Sequence, residues 1–304
     1  MTSNSRPSLD PKILDQIAGL ELKARQIVEG YISGLHRSPF HGFSVEFAEH
    51  REYVPGDDTR FLDWKVYGRT DRLYIKRYEE ETNLEAWLVV DTSASMAYAS
   101  GEPHSPSKLD YATWSAASLA YMITQQQDAA GLVLFDEKVH DTIPAQSNEA
   151  HLRTIFARLE AIKAANPTSS GRALAEVAET VRRRGIIVLF SDLLDDMREV
   201  VRGLKQLRSR GHEVVLFHVL AHDEVTFPFE RLTRFEGMEE TTRLLADPLA
   251  LRTAYLKEVS SFRRNLRRVC LGNRIDLVEL STADSLGVVL AAYLARRAAL
   301  RRRR

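Results

Sequence analysis

The chain has 304 residues, 44% of them hydrophobic, and its 42 lysines and arginines balance 42 aspartates and glutamates. This length and hydrophobic content suffice for a substantial core, in one large domain with an appendage or in two smaller domains. The balanced charge removes any global electrostatic reason to expect nucleic acid or an anionic membrane as partner. The single cysteine, Cys270, excludes an internal disulfide framework and favours a reducing compartment.

The sequence also lacks the signals of membrane insertion and secretion. No stretch approaches the roughly 18 uninterrupted apolar residues that a membrane span requires. Residues 1–10 are polar and do not contain the apolar core of a signal peptide. We therefore expect a disordered lead over residues 1–10 and a cytoplasmic protein with no transmembrane segment.

The next part of the chain combines a helix with an irregular, charged region. Apolar residues at three- and four-residue spacings predict a docking helix over residues 11–32. Residues 36–81 are dense in charge, with short strand patterns at 43–47 and 72–78 around a turn-rich middle. This charged region is either a solvated subdomain that contains many ion pairs or a recognition surface. We group residues 11–83 as one N-terminal region.

Residues 84–304 alternate strands with helices, which predicts an α/β fold with a mostly parallel central sheet and helices on both faces. Strand patterns cover residues 86–90, 131–135, 139–143, 186–190, 214–220 and 275–280, and the second and third of these predict an antiparallel hairpin at a sheet edge. Ser107, Asn148 and Asp247 are each placed to begin a helix. Gly185 fits the position just past the end of the helix that precedes residues 186–190.

Oxygen-bearing side chains lie at the ends of two of these strands. Asp91, Ser93 and Ser95 come directly after the buried strand 86–90. Asp192 follows the strand 186–190, and Thr168 lies in a polar loop ahead of that strand's helix. Open α/β sheets bind ligands beyond the carboxyl ends of their strands, so these side chains converge on one rim if the two strands are neighbours. Hydroxyl and carboxylate oxygens suit Mg²⁺, with Mn²⁺ as the other possibility.

The signatures of common enzyme classes are missing. The sequence has no Gly-x-x-x-x-Gly-Lys-Ser/Thr phosphate-binding loop and no Gly-x-Ser-x-Gly nucleophile elbow. A phosphotransferase with an aspartyl nucleophile would carry a second acid where this chain has Ser93. His218 and His222 lie four residues apart at a predicted strand end, without the pattern of a glutamate partner that would indicate zinc. Arg296, Arg297 and the arginines at 301–304 could contact nucleic acid or acidic lipid, but we expect them to form a solvated helix end whose charge complements the helix dipole. We expect a protein that is not an enzyme and that contacts no nucleic acid.

Two groups of residues carry a resemblance to known families. The pattern Asp91-x-Ser93-x-Ser95, followed by Thr168 and Asp192, resembles the metal-ion-dependent adhesion site of von Willebrand factor A-type domains. The stretch ahead of it is similar to a bacterial family known only as domain of unknown function fifty-eight, through Arg51-Glu52-Tyr53, Pro55-Gly56-Asp57-Asp58-x-Arg60, Asp63-Trp64 and Arg69-Thr70. That family is associated with MoxR-type AAA+ ATPases.

The resemblance implies a Rossmann-like von Willebrand factor A-type domain over residues 84–304, preceded by the N-terminal helix and a small strand-and-loop appendage. Its metal site would take hydroxyl ligands from Ser93, Ser95 and Thr168, with Asp91 and Asp192 acting directly or through water. The neighbouring hydroxyls of Ser169 and Ser170 could serve in place of Thr168. Asp195 and Asp196 are expected to cap a helix rather than to bind metal.

The same resemblance implies a non-enzymatic, chaperone-like adaptor that depends on Mg²⁺ for protein binding. It would link a MoxR-type AAA+ ATPase to a client protein in the assembly or maturation of a complex, with a partner carboxylate completing the coordination of the ion. The candidate partner-binding residues are Arg51, Asp57, Asp58, Arg60, Asp63, Trp64 and Arg69. Two alternatives stay open: a metal-dependent phosphohydrolase, and a metal-free structural or interaction protein.

Overall fold

The computed structural model describes residues 19–32, 47–53, 64–70, 72–78, 84–101, 105–239 and 243–301. The chain divides into two compact units, one formed by Met1–Phe40 with Glu85–Arg304 and the other by His41–Leu84. The predicted N-terminal helix is described from Leu20 onward, and it belongs to the larger unit rather than to the charged region with which we grouped it.

The smaller unit contains strand β1 (Phe47–Glu52), helix α2 (Trp64–Thr70) and strand β2 (Tyr74–Tyr78). β1 pairs with β2 in an antiparallel ladder. The strand pattern predicted at 43–47 overlaps β1 only at Phe47, where β1 begins, and β1 continues through charged residues to Glu52. Residues 43–46 lie outside the described residues. An antiparallel ladder is built from backbone hydrogen bonds, so charged side chains do not prevent the strand.

The larger unit contains the remaining described elements. In chain order these are α1 (Leu20–Ile32), β3 (Glu85–Asp91), α3 (Lys108–Gln125), β4 (Ala129–Phe135), β5 (Val139–Gln146), α4 (Glu149–Ala161), α5 (Ser170–Thr180), β6 (Ile186–Ser191), α6 (Met197–Ser209), β7 (Glu213–Leu220), α7 (His222–Thr226), β8 (Thr233–Glu236), β9 (Arg243–Ala246), α8 (Pro248–Gly272), β10 (Asp276–Ser281) and α9 (Leu286–Arg301).

Six strands form the central sheet in the order β10-β7-β6-β3-β4-β5. All neighbouring pairs are parallel except β4 and β5, which form the predicted antiparallel hairpin at one edge. Counted from β3, this is the doubly wound order 3-2-1-4-5-6, in which the chain reverses direction across the sheet beside its first strand. The prediction of an α/β fold with a mostly parallel central sheet is confirmed.

The central position of β3 explains its apolar sequence. Leu88, Val89 and Val90 are completely buried, so both faces of the strand are covered. Burial on both faces is typical of a parallel sheet with helices above and below, and it removes the apolar and polar alternation that a half-exposed strand would show.

The predicted helix starts are confirmed by their hydrogen bonds. Ser107 and Asp110 form a reciprocal capping box at the start of α3, and Asn148 accepts the His151 amide at the start of α4. Asp247 accepts the Leu249 amide at the start of α8. These side chains satisfy backbone N–H groups that have no partner within the helix.

The predicted role of Gly185 is wrong. Helix α5 ends at Thr180 with Val181 as its C-cap, four residues before this glycine. A Cβ atom at position 185 would lie 2.2 Å from the carbonyl oxygen of Glu85. Glycine is therefore required because the chain entering β6 passes directly against the start of β3, a contact between distant parts of the sequence.

Helix α1 packs on α3 with Leu20, Ala24, Ile27 and Val28 buried. Its first amide, from Leu20, donates to Glu160 Oε1 at 2.6 Å, and the Lys23 ammonium lies 4.6 Å from the centre of the Trp114 ring. Across the described ranges of the chain, no helix has both the length and the apolar composition needed to cross a membrane.

Candidate functional site

Strands β3 and β6 are neighbours and run parallel, so the residues that follow them meet at one rim of the sheet. Ser191 Oγ, at the end of β6, donates to Asp91 Oδ2 at 2.5 Å. The other carboxylate oxygen, Asp91 Oδ1, accepts the Ser93 amide at 2.9 Å. Asp91 is completely buried, which means that its position is set by these two donors rather than by solvent.

The electrostatic environment of Asp91 is unfavourable to its own charge. Burial, then the charge of Asp192, raises the pKa of Asp91 from 3.8 to about 7, and hydrogen bonds from Ser191 and Ser93 offset only part of this rise. A carboxyl with such a pKa is only partly ionised near neutral pH. A cation beside it would favour the ionised form of the carboxyl.

The two serines of the Asp-x-Ser-x-Ser pattern are brought together. Ser93 Oγ lies 3.1 Å from Ser95 Oγ, and both side chains are buried. A short 3₁₀ helix over Ala94–Ala97 begins between them and turns the chain tightly after β3. The sequence pattern therefore places one carboxylate and two hydroxyls on a compact, ordered turn.

The polar loop ahead of α5 is joined to this turn by backbone hydrogen bonds. The Ala94 amide donates to Asn166 O at 2.8 Å, and the Ala165 amide donates to Thr92 O at 2.9 Å. Thr168 follows two residues after Asn166, so the loop brings it to the same rim as the serines.

The hydroxyls of this loop include two without partners. Thr168 Oγ1 and Ser170 Oγ are buried and have no hydrogen-bond partner among the residues that the structure describes. An unpaired buried hydroxyl is costly, and both are potential ligands of a hard cation. Ser169 is instead the N-cap residue of α5.

Asp195 and Asp196 act at helix starts, as predicted. Asp195 Oδ2 accepts the Ser170 amide at 2.7 Å, at the start of α5. Asp196 is the N-cap of α6 and accepts the Arg198 amide at 2.8 Å. Their carboxylates are engaged by backbone donors at positive helix ends.

Lys108 is a site residue that sequence reasoning missed. Its ammonium lies 2.6 Å from Asp192 Oδ2 and 2.7 Å from Glu224 Oε1, and its side chain is only 1% exposed. Burial alone would lower the pKa of Lys108, but the Asp192 and Glu224 carboxylates outweigh that effect and raise it, so the lysine is charged. One local signal was present: a lysine in the first turn of a helix opposes the helix dipole, which indicates a partner elsewhere.

This lysine limits what Asp192 can do. Asp192 Oδ2 pairs with Lys108, while Oδ1 accepts the Leu194 amide at 3.2 Å. The backbone oxygen of Asp192 lies 2.9 Å from His218 Nε2, and burial lowers the pKa of His218 to about 4, so this imidazole is neutral. With both side-chain oxygens engaged, Asp192 is suited to hold a metal-bound water rather than to bind an ion directly.

Glu239 is a second residue that the sequence did not indicate. It lies between β8 and β9, and its Oε2 accepts the Thr168 amide at 3.0 Å. Its Oε1 is buried and has no hydrogen-bond partner within the described part of the chain. Nothing in the local sequence distinguishes this glutamate from other acids, because the contact joins residues that are 71 positions apart.

The donor set is compatible with Mg²⁺ or Mn²⁺. Within the described part of the chain, no three His, Cys, Asp or Glu side chains are grouped so that they could hold a metal ion. An ion at this rim would therefore rely mainly on hydroxyl oxygens and retained waters, with fewer than three carboxylates, a coordination that Mg²⁺ accepts and zinc does not favour.

The candidate partner-binding residues belong to the smaller unit. Arg51 lies in β1, Trp64 begins α2, and Arg69 is an exposed residue in the last turn of α2. The other four candidates, Asp57, Asp58, Arg60 and Asp63, lie outside the described residues.

Three comparisons relate the chain to known proteins. An uncharacterized protein of Mycobacterium tuberculosis is 28% identical over 278 residues, covering 90% of this chain and 86% of that protein. An aerotolerance-related membrane protein from Bacteroides fragilis, solved with multiple mutations to serine, is 18% identical with a TM-score of 0.47, covering 71% of this chain and 98% of that one. The conserved hypothetical protein BatB from Bacteroides thetaiotaomicron is 18% identical with a TM-score of 0.46, covering 71% and 99%.

The family model described as "Protein of unknown function DUF58" matches residues 49–265, which include the charged region from β1 onward, the Asp-x-Ser-x-Ser turn, Thr168 and Asp192. Because this match extends over most of the chain, the protein belongs to the DUF58 family.

Proposed function

We propose that this protein is a non-enzymatic adaptor that binds another protein through a divalent ion, Mg²⁺ or Mn²⁺, held at the rim beyond β3 and β6. The observation that carries the proposal is the buried hydroxyl of Thr168, which has no hydrogen-bond partner among the described residues and lies in a loop whose backbone is hydrogen-bonded to the turn that carries Asp91, Ser93 and Ser95. Unpaired buried polar atoms are rare in folded proteins, and a cation would supply the missing partner.

In this proposal the ion is held by the hydroxyls of Ser93, Ser95 and Thr168, with Ser170 as an alternative to Thr168. Asp91 and Asp192 supply negative charge and hold metal-bound water. Lys108 neutralises part of that charge, because its ammonium is paired with Asp192. The bound ion would act as an electrophile with a position open to a carboxylate of the partner.

The geometry supports binding rather than phosphoryl transfer. Both carboxylate oxygens of Asp91 accept hydrogen bonds, Oδ1 from the Ser93 amide and Oδ2 from the Ser191 hydroxyl, so each oxygen is already engaged by a donor of the chain. The position two residues later, where a second acid would serve as proton donor, is Ser93, whose hydroxyl is paired with Ser95. A phosphohydrolase remains the enzymatic alternative to be tested.

The partners in this proposal are a MoxR-type AAA+ ATPase and a client protein, with the adaptor acting in assembly or maturation of a complex in the cytoplasm. Support for the ATPase comes from the family resemblance of residues 51–70. The exposed Arg69 of α2 offers a positively charged group to such a partner.

The test joins metal binding to partner binding. Calorimetry with Mn²⁺ should show uptake by the wild type and loss of uptake in Asp91→Asn, while Asp141→Asn, which changes a peripheral acid paired with Arg158, should behave as the wild type. Pull-down of a co-encoded MoxR-type ATPase should succeed with Mg²⁺ and fail with EDTA or with Asp91→Asn.

Three other results would change the proposal. No Mn²⁺ uptake by the wild type would favour the metal-free structural protein. Capture of the ATPase in the absence of metal would contradict the metal-bridge mechanism but would still be consistent with an adaptor function. Turnover of a phosphoester by the wild type, lost in Asp91→Asn, would favour the phosphohydrolase.

A further inference from the structure

We propose that Glu239 is a built-in carboxylate ligand of the metal rim, which closes the site until an acidic group of the partner displaces it. This inference rests on the proposed function, because it names the chain's own occupant of the position that a partner would take. It assigns a binding role to a residue that lies outside the Asp-x-Ser-x-Ser pattern.

The first support is the contact with Thr168. Glu239 Oε2 accepts the Thr168 amide at 3.0 Å, and the amide and hydroxyl of one threonine are attached to adjacent carbons. The carboxylate is therefore held next to the hydroxyl that the proposed ion would bind. Glu239 Oε1 and Thr168 Oγ1 are both buried, and neither has a hydrogen-bond partner in the described ranges of the chain.

Two unpaired oxygens on adjoining side chains are explained together by one cation. A hydroxyl could donate a hydrogen bond to a carboxylate oxygen within reach, yet neither of these atoms has such a partner. A divalent ion coordinates hydroxyl and carboxylate oxygens at the same time, so one ion would satisfy both. Ser170 Oγ, which belongs to a completely buried residue in the same loop, is a third oxygen without a partner.

The second support is the absence of an ion pair for Glu239. The arginines of the same hairpin, Arg234 and Arg243, both pair with Glu236. Among the residues that the structure describes, no lysine or arginine forms a salt bridge with Glu239. The two arginines of the hairpin thus pair with Glu236, and neither neutralises the charge of Glu239. That charge can therefore interact with a cation at the rim.

The third support is that the element presenting Glu239 is anchored. Phe235, on β8, packs against Phe227 and Phe229 with ring centroids 5.8 and 5.4 Å apart. Phe227 also packs at 4.5 Å against Tyr255, whose hydroxyl donates to the backbone oxygen of Glu224. Glu224 in turn pairs with Lys108, so the base of the hairpin is connected to the charge cluster of the rim.

In this proposal, Glu239 and the carboxylate of the partner protein compete for the same position on the metal ion. A carboxylate tethered beside the ion has a high effective concentration, so a partner carboxylate must bind the ion better than Glu239 does or must first move the hairpin. Metal binding is strengthened by this internal ligand, while access of the partner to the metal is reduced.

The test uses the full chain with Mn²⁺ alone as probe. Glu239→Ala is compared with Glu236→Ala, which removes a carboxylate from the same hairpin without touching Thr168. Calorimetry should show Mn²⁺ binding weakened by about tenfold or more in Glu239→Ala and unchanged in Glu236→Ala. The relaxation of water protons by bound Mn²⁺ should be enhanced in Glu239→Ala, because water replaces the carboxylate on the ion.

Glu239→Gln serves as the second variant, since its amide oxygen can still accept the Thr168 amide. It should also weaken Mn²⁺ binding, while thermal unfolding without metal stays close to that of the wild type. Mn²⁺ affinity and water relaxation in Glu239→Ala equal to those of the wild type would overturn the role of Glu239 and leave the proposed function standing. No Mn²⁺ binding by the wild type would overturn both.

Discussion

The ammonium of Lys108 lies 2.6 Å from Asp192 Oδ2, so the acid at the end of β6 is paired with a cation supplied by the chain itself. The same ammonium lies 2.7 Å from Glu224 Oε1, and all three side chains are largely shielded from solvent. The rim therefore contains the carboxyl groups of Asp91 and Asp192 at the ends of β3 and β6. Its net negative charge is smaller than that of two free carboxylates, because Lys108 neutralises part of the charge of Asp192.

Replacement of Lys108 by a neutral residue should leave the negative charges of Asp192 and Glu224 without their cation. We expect Lys108→Met to lower the free energy of unfolding in EDTA by about 3–5 kcal/mol, because Asp192 and Glu224 are left buried without a cation. Mg²⁺ should restore more stability to the variant than to the wild type, since the ion then faces an unneutralised Asp192. Urea unfolding with and without Mg²⁺ measures both effects.

Lys205→Met, at an exposed position of α6, is the matched control and should leave both measurements unchanged. Equal responses to Mg²⁺ in the wild type and in Lys108→Met would contradict a shared electrostatic role of the lysine and the ion.

Removal of the charge of Asp91 should stabilise the protein without metal. Its folded-state pKa of about 7 exceeds its ordinary value of 3.8, so the stability that it contributes is present at low pH and is lost as the pH rises through 7. Asp91→Asn stays neutral and keeps that stability. At pH 8 in EDTA the variant should exceed the wild type by up to about 4 kcal/mol.

This difference should shrink as the pH falls towards 5, because the wild-type carboxyl then takes up its proton. Urea unfolding of both proteins between pH 5 and pH 8 in EDTA supplies the comparison. A difference that is independent of pH would show that the gain comes from packing rather than from charge. In Mg²⁺ the order should reverse if the ion binds only the wild type.

The unpaired hydroxyls of the loop make a separate prediction. Thr168→Val preserves the shape of the side chain and removes a buried oxygen without a partner, so the metal-free protein should be unchanged or more stable by about 1–3 kcal/mol. Mn²⁺ binding should weaken at the same time, as calorimetry can detect.

Ser170→Ala is the companion variant, because Ser170 Oγ is also buried without a partner. If Thr168 is the ligand, Ser170→Ala keeps its Mn²⁺ affinity. The opposite result, with affinity lost in Ser170→Ala and kept in Thr168→Val, would assign the loop ligand to Ser170.

The contact of Gly185 with β3 should make this position intolerant of a side chain. A methyl group there would meet Glu85 O at 2.2 Å, so Gly185→Ala should destabilise the fold by about 1–3 kcal/mol or more as the sheet shifts to accommodate it. Chemical unfolding followed by circular dichroism measures the change.

Gly272→Ala is a suitable control, since a Cβ atom there meets nothing within 4 Å. Alanine is the better helix former, so this variant should be neutral or stabilised by up to about 1 kcal/mol. Similar losses in both variants would indicate that the backbone, rather than the contact with Glu85, requires glycine.

The sequence by itself determined the six strands of the central sheet and much of the rim. Apolar runs such as residues 86–90 indicated buried strands, and local capping side chains such as Ser107 and Asn148 indicated where helices begin. These signals are short-range, because a helix cap or a strand period involves neighbouring residues only. Asp91, Ser93 and Ser95 were found for the same reason, as one continuous pattern.

Only the tertiary structure decided which distant groups act on those residues. The pairing of Lys108 with Asp192 spans 84 positions, and the contact of Glu239 with Thr168 spans 71. Gly185 was assigned to a helix end by its local surroundings, whereas its requirement comes from Glu85 on the neighbouring strand. Such contacts depend on the packing of whole elements, which local propensity does not encode, and they set the charge of the rim.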